Sequence, residues 1–96
     1  MIIYVDIDNT ICSDEGGEYQ NARCIRKNLE KVNRLYEKGH TIVYWSARGT
    51  VTGKDWLGLT REQLDKWGAK YHQLSVGKKP HYDLLIDDKS KRIEEL

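Results

Sequence analysis

The first ten residues constrain the fold of this chain more than any other stretch. Residues 2–5 are β-branched and aromatic, which is typical of a buried strand, and the run leads directly into Asp6 and Asp8. In open α/β sheets, ligands bind beyond the carboxyl ends of the strands, so a site is expected at these carboxylates. Because two carboxylates this close repel each other unless a cation offsets their charge, we expect a hard-metal site that takes Mg²⁺ rather than Ca²⁺. The alternative is a strand end followed by an Asx-type turn at Asp8 and Asn9.

Composition and charge exclude several classes of protein. The length of 96 residues predicts one small domain covering residues 1–96. With 16 basic and 15 acidic residues, the chain lacks the broad positive field of a nucleic-acid binder. No apolar run approaches the roughly 20 residues of a membrane span, and the N-terminus lacks a secretory pattern. Cys12 and Cys24 do not form a CxxC pair, so we expect free thiols and a cytoplasmic protein.

The first half of the chain predicts a β-α-β unit. A polar loop with paired glycines, residues 12–20, follows the carboxylates and is expected to overhang them. Apolar residues then recur at spacings of three and four, which predicts a helix over 21–38 with Asn21 as N-cap and Gly39 beyond its end. Residues 41–46 form a second apolar strand that ends at Ser46, and a parallel pairing follows.

The second half predicts one more helix and two more strands. Thr60 and Gln63 match a capping box, so a short helix is expected from Thr60 to about residue 67, ended by Gly68. Further strands are predicted at 71–74 and 83–87, and a last helix from residue 89. The pattern predicts an α/β fold: a three-layer, Rossmann-like parallel sheet of about four strands with flanking helices.

Polar side chains follow three of these strands, and a lysine precedes the last strand. A hard cation, a hydroxyl, a fixed positive charge and a free carboxylate together make a phosphoryl-transfer site. The residues at these positions are Asp6, Asp8, Ser46, Lys79 or Lys78, Asp87 and Asp88.

In this order the residues resemble the haloacid dehalogenase-like (HAD) hydrolases. That family combines Asp-x-Asp-x-Thr after an apolar strand, a strand ending in Ser or Thr, a lysine, and an apolar strand ending in acidic residues. The corresponding residues are Asp6 to Thr10, Ser46, Lys79 and Ile86-Asp87-Asp88. The resemblance covers nearly the whole chain and extends to small stand-alone phosphatases, some of them tied to surface-sugar metabolism.

The resemblance implies a Mg²⁺-dependent phosphatase acting on a phosphorylated sugar or similar small metabolite. Asp6 would be the nucleophile that forms an aspartyl-phosphate, and Asp8 would be the general acid and base. The implied phosphate contacts are Ser46, Lys79 and Asn9, and the implied metal ligands are Asp6, Asp8 and Asp87. The intervals 9–45 and 47–78 each hold one helix and its loops, so a cap domain does not fit.

Four residues outside these motifs are further candidates. Arg48 is expected either to bind a second anionic group or to be a surface arginine, and His81 to contact substrate or to be an ordinary loop residue. Trp56 and Leu57 are candidates for the mouth of the site, for a subunit contact, or for covering the edge of the core. Without a cap, shielding from water must come from loops or a second subunit, so we expect a homo-oligomer.

Three other functions share parts of this pattern with a phosphatase. A signalling receiver module also combines Mg²⁺, aspartates, a hydroxyl and a lysine, but its acidic pair comes first and its lysine last, so the order found here rejects it. A catalytically idle phosphate-binding domain of the same fold is disfavoured, because all of the motif residues are present. An open site without a cap would admit the end of a polynucleotide as substrate, but the near-neutral charge of the chain disfavours a phosphatase of this kind.

Overall fold

The computed structural model describes residues 1–13, 18–48, 55–77 and 84–86. Within these ranges a short 3-10 turn covers Tyr19–Asn21 and two α-helices and six strands form. In chain order they are β1 (Ile2–Asp6), β2 (Cys12–Ser13), β3 (Arg23–Cys24), α1 (Arg26–Glu37), β4 (Thr41–Ser46), α2 (Leu57–Trp67), β5 (Gln73–Val76) and β6 (Leu84–Ile86).

The main sheet has the strand order β5-β4-β1-β6, and its three pairings are parallel. β1 lies inside the sheet, with Ile3 in register with Ile42 of β4 on one side and with Leu84 of β6 on the other. β2 and β3 form a separate antiparallel pair. The α/β class predicted from the sequence is therefore confirmed.

The core lies between the sheet and the two helices. Both helices contribute to the same buried cluster, α1 through Leu29 and Val32 and α2 through Leu64. Alternate residues of β1 and β4 meet them from the sheet. This packing fixes β1 and β4 side by side, and with them the carboxyl ends at which the predicted site lies.

The helix starts differ from the prediction, whereas the helix ends agree with it. α1 begins at Arg26 rather than at residue 21, and no side chain caps it, so Asn21 is not the N-cap. The glycines after the two helices are confirmed as terminators: Gly39 and Gly68 have φ of 95° and 79°, a conformation that favours glycine.

The predicted capping box at Thr60 is wrong. Leu57 starts α2, and its N–H donates to the Asp55 carboxylate at 3.0 Å. Thr60 is buried within the helix, and its hydroxyl donates to the Trp56 carbonyl at 2.7 Å. Thr60 therefore has no capping role, and its hydroxyl oxygen also accepts a hydrogen bond from Arg48.

Two other boundaries also shift. The third strand of the main sheet, predicted at 71–74, is β5, two residues further on. The first two residues of the predicted 12–20 loop form β2. Residues 87–96, with the predicted last helix, lie outside the described residues. In the part of the chain that is described, neither helix is long and apolar enough to cross a membrane.

Candidate functional site

The candidate site lies at the carboxyl ends of β1 and β4, which are neighbours in the sheet. Asp6 ends β1 in register with Trp45, and the next residue, Ile7, donates its N–H to the Trp45 carbonyl at 3.2 Å. From β1 the chain continues outward to β4 and β5, whereas β6 pairs with the opposite side of β1. The end of β1 is thus a topological switch point, where open α/β sheets bind their ligands.

A tight turn after β1 holds Asp8. The N–H groups of Thr10 and Ile11 donate to the Ile7 carbonyl at 3.2 and 3.0 Å. Asn9 adopts a left-handed conformation with φ of 64°, which asparagine tolerates, and its N–H donates to the Cys12 carbonyl at 2.7 Å. These are backbone hydrogen bonds, so the turn that positions the Asp8 carboxylate is not shown to be an Asx-type turn.

Asp8 forms an ion pair with Arg48. The Arg48 Nη2 donates to Asp8 Oδ1 at 2.7 Å, and Nε donates to Oδ2 at 3.0 Å. The Ser46 hydroxyl donates to the same Oδ2 at 3.1 Å. The Asp8 side chain is 18% exposed and that of Arg48 is not exposed at all. Both carboxylate oxygens are thus fixed by donors from the end of β4.

The rest of the Arg48 guanidinium is bound by α2. Nη1 donates to the Thr60 hydroxyl at 3.1 Å and to the Gln63 Oε1 at 2.7 Å. The Tyr19 ring covers the guanidinium at 4.7 Å, and Gln63 Nε2 donates to the Tyr19 carbonyl at 2.6 Å. Nη2 also points to Cys12 Sγ at 4.0 Å. Every nitrogen of the guanidinium therefore has an internal acceptor.

This arrangement corrects the expectations for Arg48. It is not a surface arginine, because only 2% of the residue is exposed. Its guanidinium contacts Asp8 and α2, and it holds the Asp8 carboxylate in place.

Ser46 is also buried, and its hydroxyl links the two charged residues. It accepts a hydrogen bond from the Arg48 backbone N–H at 3.1 Å while it donates to Asp8. The Gly77 N–H donates to the Ser46 carbonyl at 2.7 Å and so ties the end of β5 to the end of β4. The hydroxyl is therefore at the predicted sheet edge, and its position is set by backbone contacts.

Cys12 is the third side chain against Asp8. Its Sγ lies 3.7 Å from Asp8 Oδ1 and 3.6 Å from the Ile7 carbonyl oxygen. Burial, followed by the nearby charge of Asp8, raises the pKa of the Cys12 thiol from 9.0 to about 12. The thiol is thus a neutral donor at physiological pH and adds a further contact to Asp8.

The remaining predicted residues are only partly described. Asp6 is half-buried at the strand end, and Asn9 is exposed. Lys79, His81, Asp87 and Asp88 lie outside the described residues, so their predicted roles stay predictions.

Magnesium binding stays a prediction, because Asp87, one of its predicted ligands, lies outside the described residues. They contain no group of three His, Cys, Asp or Glu side chains able to hold a metal ion. Both oxygens of Asp8 contact Arg48 or Ser46 instead of standing free for a cation. The predicted ligand Asp87 is not among these residues, so the roles of Asp6 and Asp87 as metal ligands stay predictions.

Two aromatic side chains lie beside this network. The Tyr19 and Trp56 rings meet edge to face with centroids 5.1 Å apart. Because the Tyr19 ring also covers Arg48, the pair connects the segment after the undescribed residues 14–17 with the start of α2. Trp56 is therefore linked to the Arg48 network through the Tyr19 ring, while Leu57 is 37% exposed.

Sequence reasoning missed Tyr19, Thr60 and Gln63 as partners of Arg48. The one available signal was the polar pair Thr60 and Gln63, three residues apart on one helix face, and it equally matched a capping box. A buried arginine requires such partners, but nothing in the sequence marks Arg48 as buried.

Comparisons with known proteins add a likeness of fold. No family model matches this sequence, and no curated protein matches it. The structure is similar to the crystal structure of a structural-genomics target from Vibrio cholerae, with a TM-score of 0.79 and 27% sequence identity. The match covers 99% of this chain and 86% of that one. The likeness supports the small α/β fold, and the name of that protein states no function.

Proposed function

We propose that this chain is a Mg²⁺-dependent phosphomonoesterase of the HAD type, built as a capless, three-layer Rossmann-like domain. The observation that carries the proposal is the cluster of Asp8, Ser46 and Arg48 beside Asp6 at the switch point of the sheet. A nucleophile, a fixed carboxylate and a hydroxyl at one sheet edge are the groups that phosphoryl transfer requires.

The proposed reaction has two steps. An Asp6 oxygen attacks phosphorus while the bond to the leaving oxygen breaks, and Asp8 gives that oxygen a proton. Water then attacks the aspartyl-phosphate, Asp8 takes up a proton from it, and inorganic phosphate leaves. Both aspartates return to their starting state, so no other reactant is consumed.

Arg48 sets the geometry of Asp8 in this scheme. Its two contacts and that of Ser46 hold the carboxylate in one orientation, as a general base for water requires.

Magnesium fits the proposal through carboxylates other than Asp8. Asp6 and Asp87 would hold it, because the Asp8 oxygens are engaged by Arg48 and Ser46. When bound, the cation allows an anionic nucleophile to approach an anionic phosphate. Asn9 and Lys79 are the proposed phosphate contacts. Ser46, like Arg48, is buried, and its hydroxyl is already bonded to Asp8 and to the Arg48 N–H, so we propose that it positions Asp8 instead.

We assign the substrate to phosphorylated sugars or similar small metabolites. His81 is the proposed substrate contact, and the exposed Leu57 is a candidate subunit contact in a homo-oligomer. Arg48 is not among the proposed substrate contacts, since its nitrogens already have internal acceptors.

The test is hydrolysis of an aryl phosphate by the full chain with Mg²⁺ and after chelation. Activity is expected only with the divalent ion, and Asp6→Asn is expected to abolish turnover and covalent phosphorylation. Asp65→Asn is the matched control, because Asp65 is an exposed aspartate on α2. Unchanged activity after thorough chelation, or wild-type turnover by Asp6→Asn, would overturn the proposal.

A further inference from the structure

The antiparallel pair β2–β3 places the two cysteines directly opposite each other. Cys12 is in register with Cys24, and both are free thiols. The Ile25 N–H donates to the Ile11 carbonyl at 2.8 Å, so the hydrogen bond lies between the flanking residues and the cysteines occupy a non-hydrogen-bonded position. At such positions the two Cα atoms are about 4.5 Å apart and both side chains lie on the same face.

That geometry suits a disulfide. Bridged cysteines have Cα atoms about 4.4–6.8 Å apart, and the expected separation lies at the short end of this range. Both side chains also belong to one packed region, since Cys12 is in the buried core and Cys24 packs against it. Closing the bond therefore requires side-chain rotation rather than separation of the strands.

We propose that Cys12 and Cys24 form a reversible disulfide by exchange with low-molecular-weight disulfides. The half-buried Cys24 attacks one sulfur of the small disulfide, forms a mixed disulfide and releases one small thiol. The Cys12 thiolate then attacks the Cys24 sulfur, forms the intramolecular bond and releases the second small thiol. The two protein thiols are oxidised, the small disulfide is reduced to two thiols, and the proton of each protein thiol passes to a released thiolate.

Burial limits the access of small disulfides to these thiols, since Cys12 is buried and Cys24 is half-buried, so we expect the exchange to be slow.

The disulfide would act directly on the Asp8 cluster. In the reduced protein the Cys12 Sγ lies 3.7 Å from Asp8 Oδ1 and 4.0 Å from Arg48 Nη2. Oxidation removes the S–H donor and turns the sulfur toward β3. Formation of the disulfide stands independently of the proposed function, whereas any effect on turnover rests on it.

The experiment equilibrates the full chain, at low protein concentration and mildly alkaline pH, with mixtures of reduced and oxidised glutathione. Intact mass and peptide mapping are expected to show the loss of two hydrogens and a Cys12–Cys24 linkage. Cys12→Ser is expected to stop at a glutathione adduct on Cys24. Cys24→Ser is expected to take up little glutathione, because its remaining thiol is buried.

A comparison with the unfolded chain tests the role of the strand pairing. The disulfide is expected to be at least roughly tenfold more stable in the folded protein than in the chain held in urea. Equal stability in the two states would overturn the proposal. So would glutathione adducts or intermolecular dimers in place of the intramolecular bond.

Discussion

Removal of the Arg48 guanidinium should destabilise the fold strongly. Arg48→Met keeps an apolar stem but leaves the Asp8 carboxylate without its counter-charge and Thr60 and Gln63 without their donor. Breaking a buried ion pair by removing one partner costs about 3–5 kcal/mol. Because Asp8 keeps the Ser46 contact and 18% exposure, we expect the lower end, about 3 kcal/mol. In a domain of this size that loss lowers Tm by roughly 12 °C or more.

The measurement is urea unfolding followed by tryptophan fluorescence and circular dichroism. Lys70→Met is the matched control, since its ion pair with Glu37 is on the surface, with the two side chains 52% and 57% exposed. The Lys70→Met control is expected to unfold at the same urea midpoint as the wild-type protein. If Arg48→Met also unfolds at the wild-type urea midpoint, the buried ion pair does not stabilise the fold as argued here.

A double-mutant cycle separates the ion pair from the packing of the arginine stem. Asp8→Asn and Arg48→Met should destabilise the protein by less in combination than the sum of the two separate effects, because each removes the same contact. The expected coupling is about 0.5–3 kcal/mol. Strictly additive effects would mean that the pair is not an energetic unit.

Three further predictions concern the pH, the mechanism and the backbone. The unfolded chain loses the Cys12 proton at a lower pH than the folded one, so the free energy of unfolding falls as the pH rises from about 9 to about 12. Cys12→Ala should reduce the slope of the free energy of unfolding against pH by at most about 1.4 kcal/mol per pH unit. If urea unfolding gives the same slope for the variant and the wild-type protein, Cys12 does not cause the fall. Asp8→Asn should accumulate phospho-enzyme with a good leaving group, detected by quenched mass spectrometry; a variant that turns over without accumulation would exclude Asp8 as the base. Gly68→Ala should cost about 1–2 kcal/mol at its φ of 79°, whereas Gly58→Ala, inside α2, should stabilise by about 0.5–1 kcal/mol in the same assay.

The sequence predicted the elements whose signals are local. The runs at β1 and β4 are long and rich in β-branched residues. Gly39 and Gly68 have positive φ, a backbone conformation that other residues adopt only at a cost in free energy. The start of α1 was missed because Ala22 and Ile25 continue the helical period, although Arg23 and Cys24 instead pair with β2. Pairing with a distant strand overrode the local periodicity.

The candidate site was predicted in the same uneven way. Asp8 and Ser46 were placed correctly at one sheet edge, because parallel strands bring their carboxyl ends together. The partners of Arg48 could not be predicted, since they come from a helix face whose rotation depends on the packing of the whole core. A single sequence shows that an arginine is present, and only the fold shows which acceptors surround it.

The position of β1 inside the sheet also determines when this site can form during synthesis. β1 is made before the other strands of its sheet, but Ile3 pairs with Leu84 of the last described strand. Until β6 is made, one edge of β1 has no partner and offers open hydrogen-bonding groups to other chains. The pairing of β1, the strand that carries Asp6, is therefore completed last. Contacts between residues this far apart in sequence slow folding. A nascent chain of this protein therefore keeps one unpaired strand edge at its site until the last described strand is made.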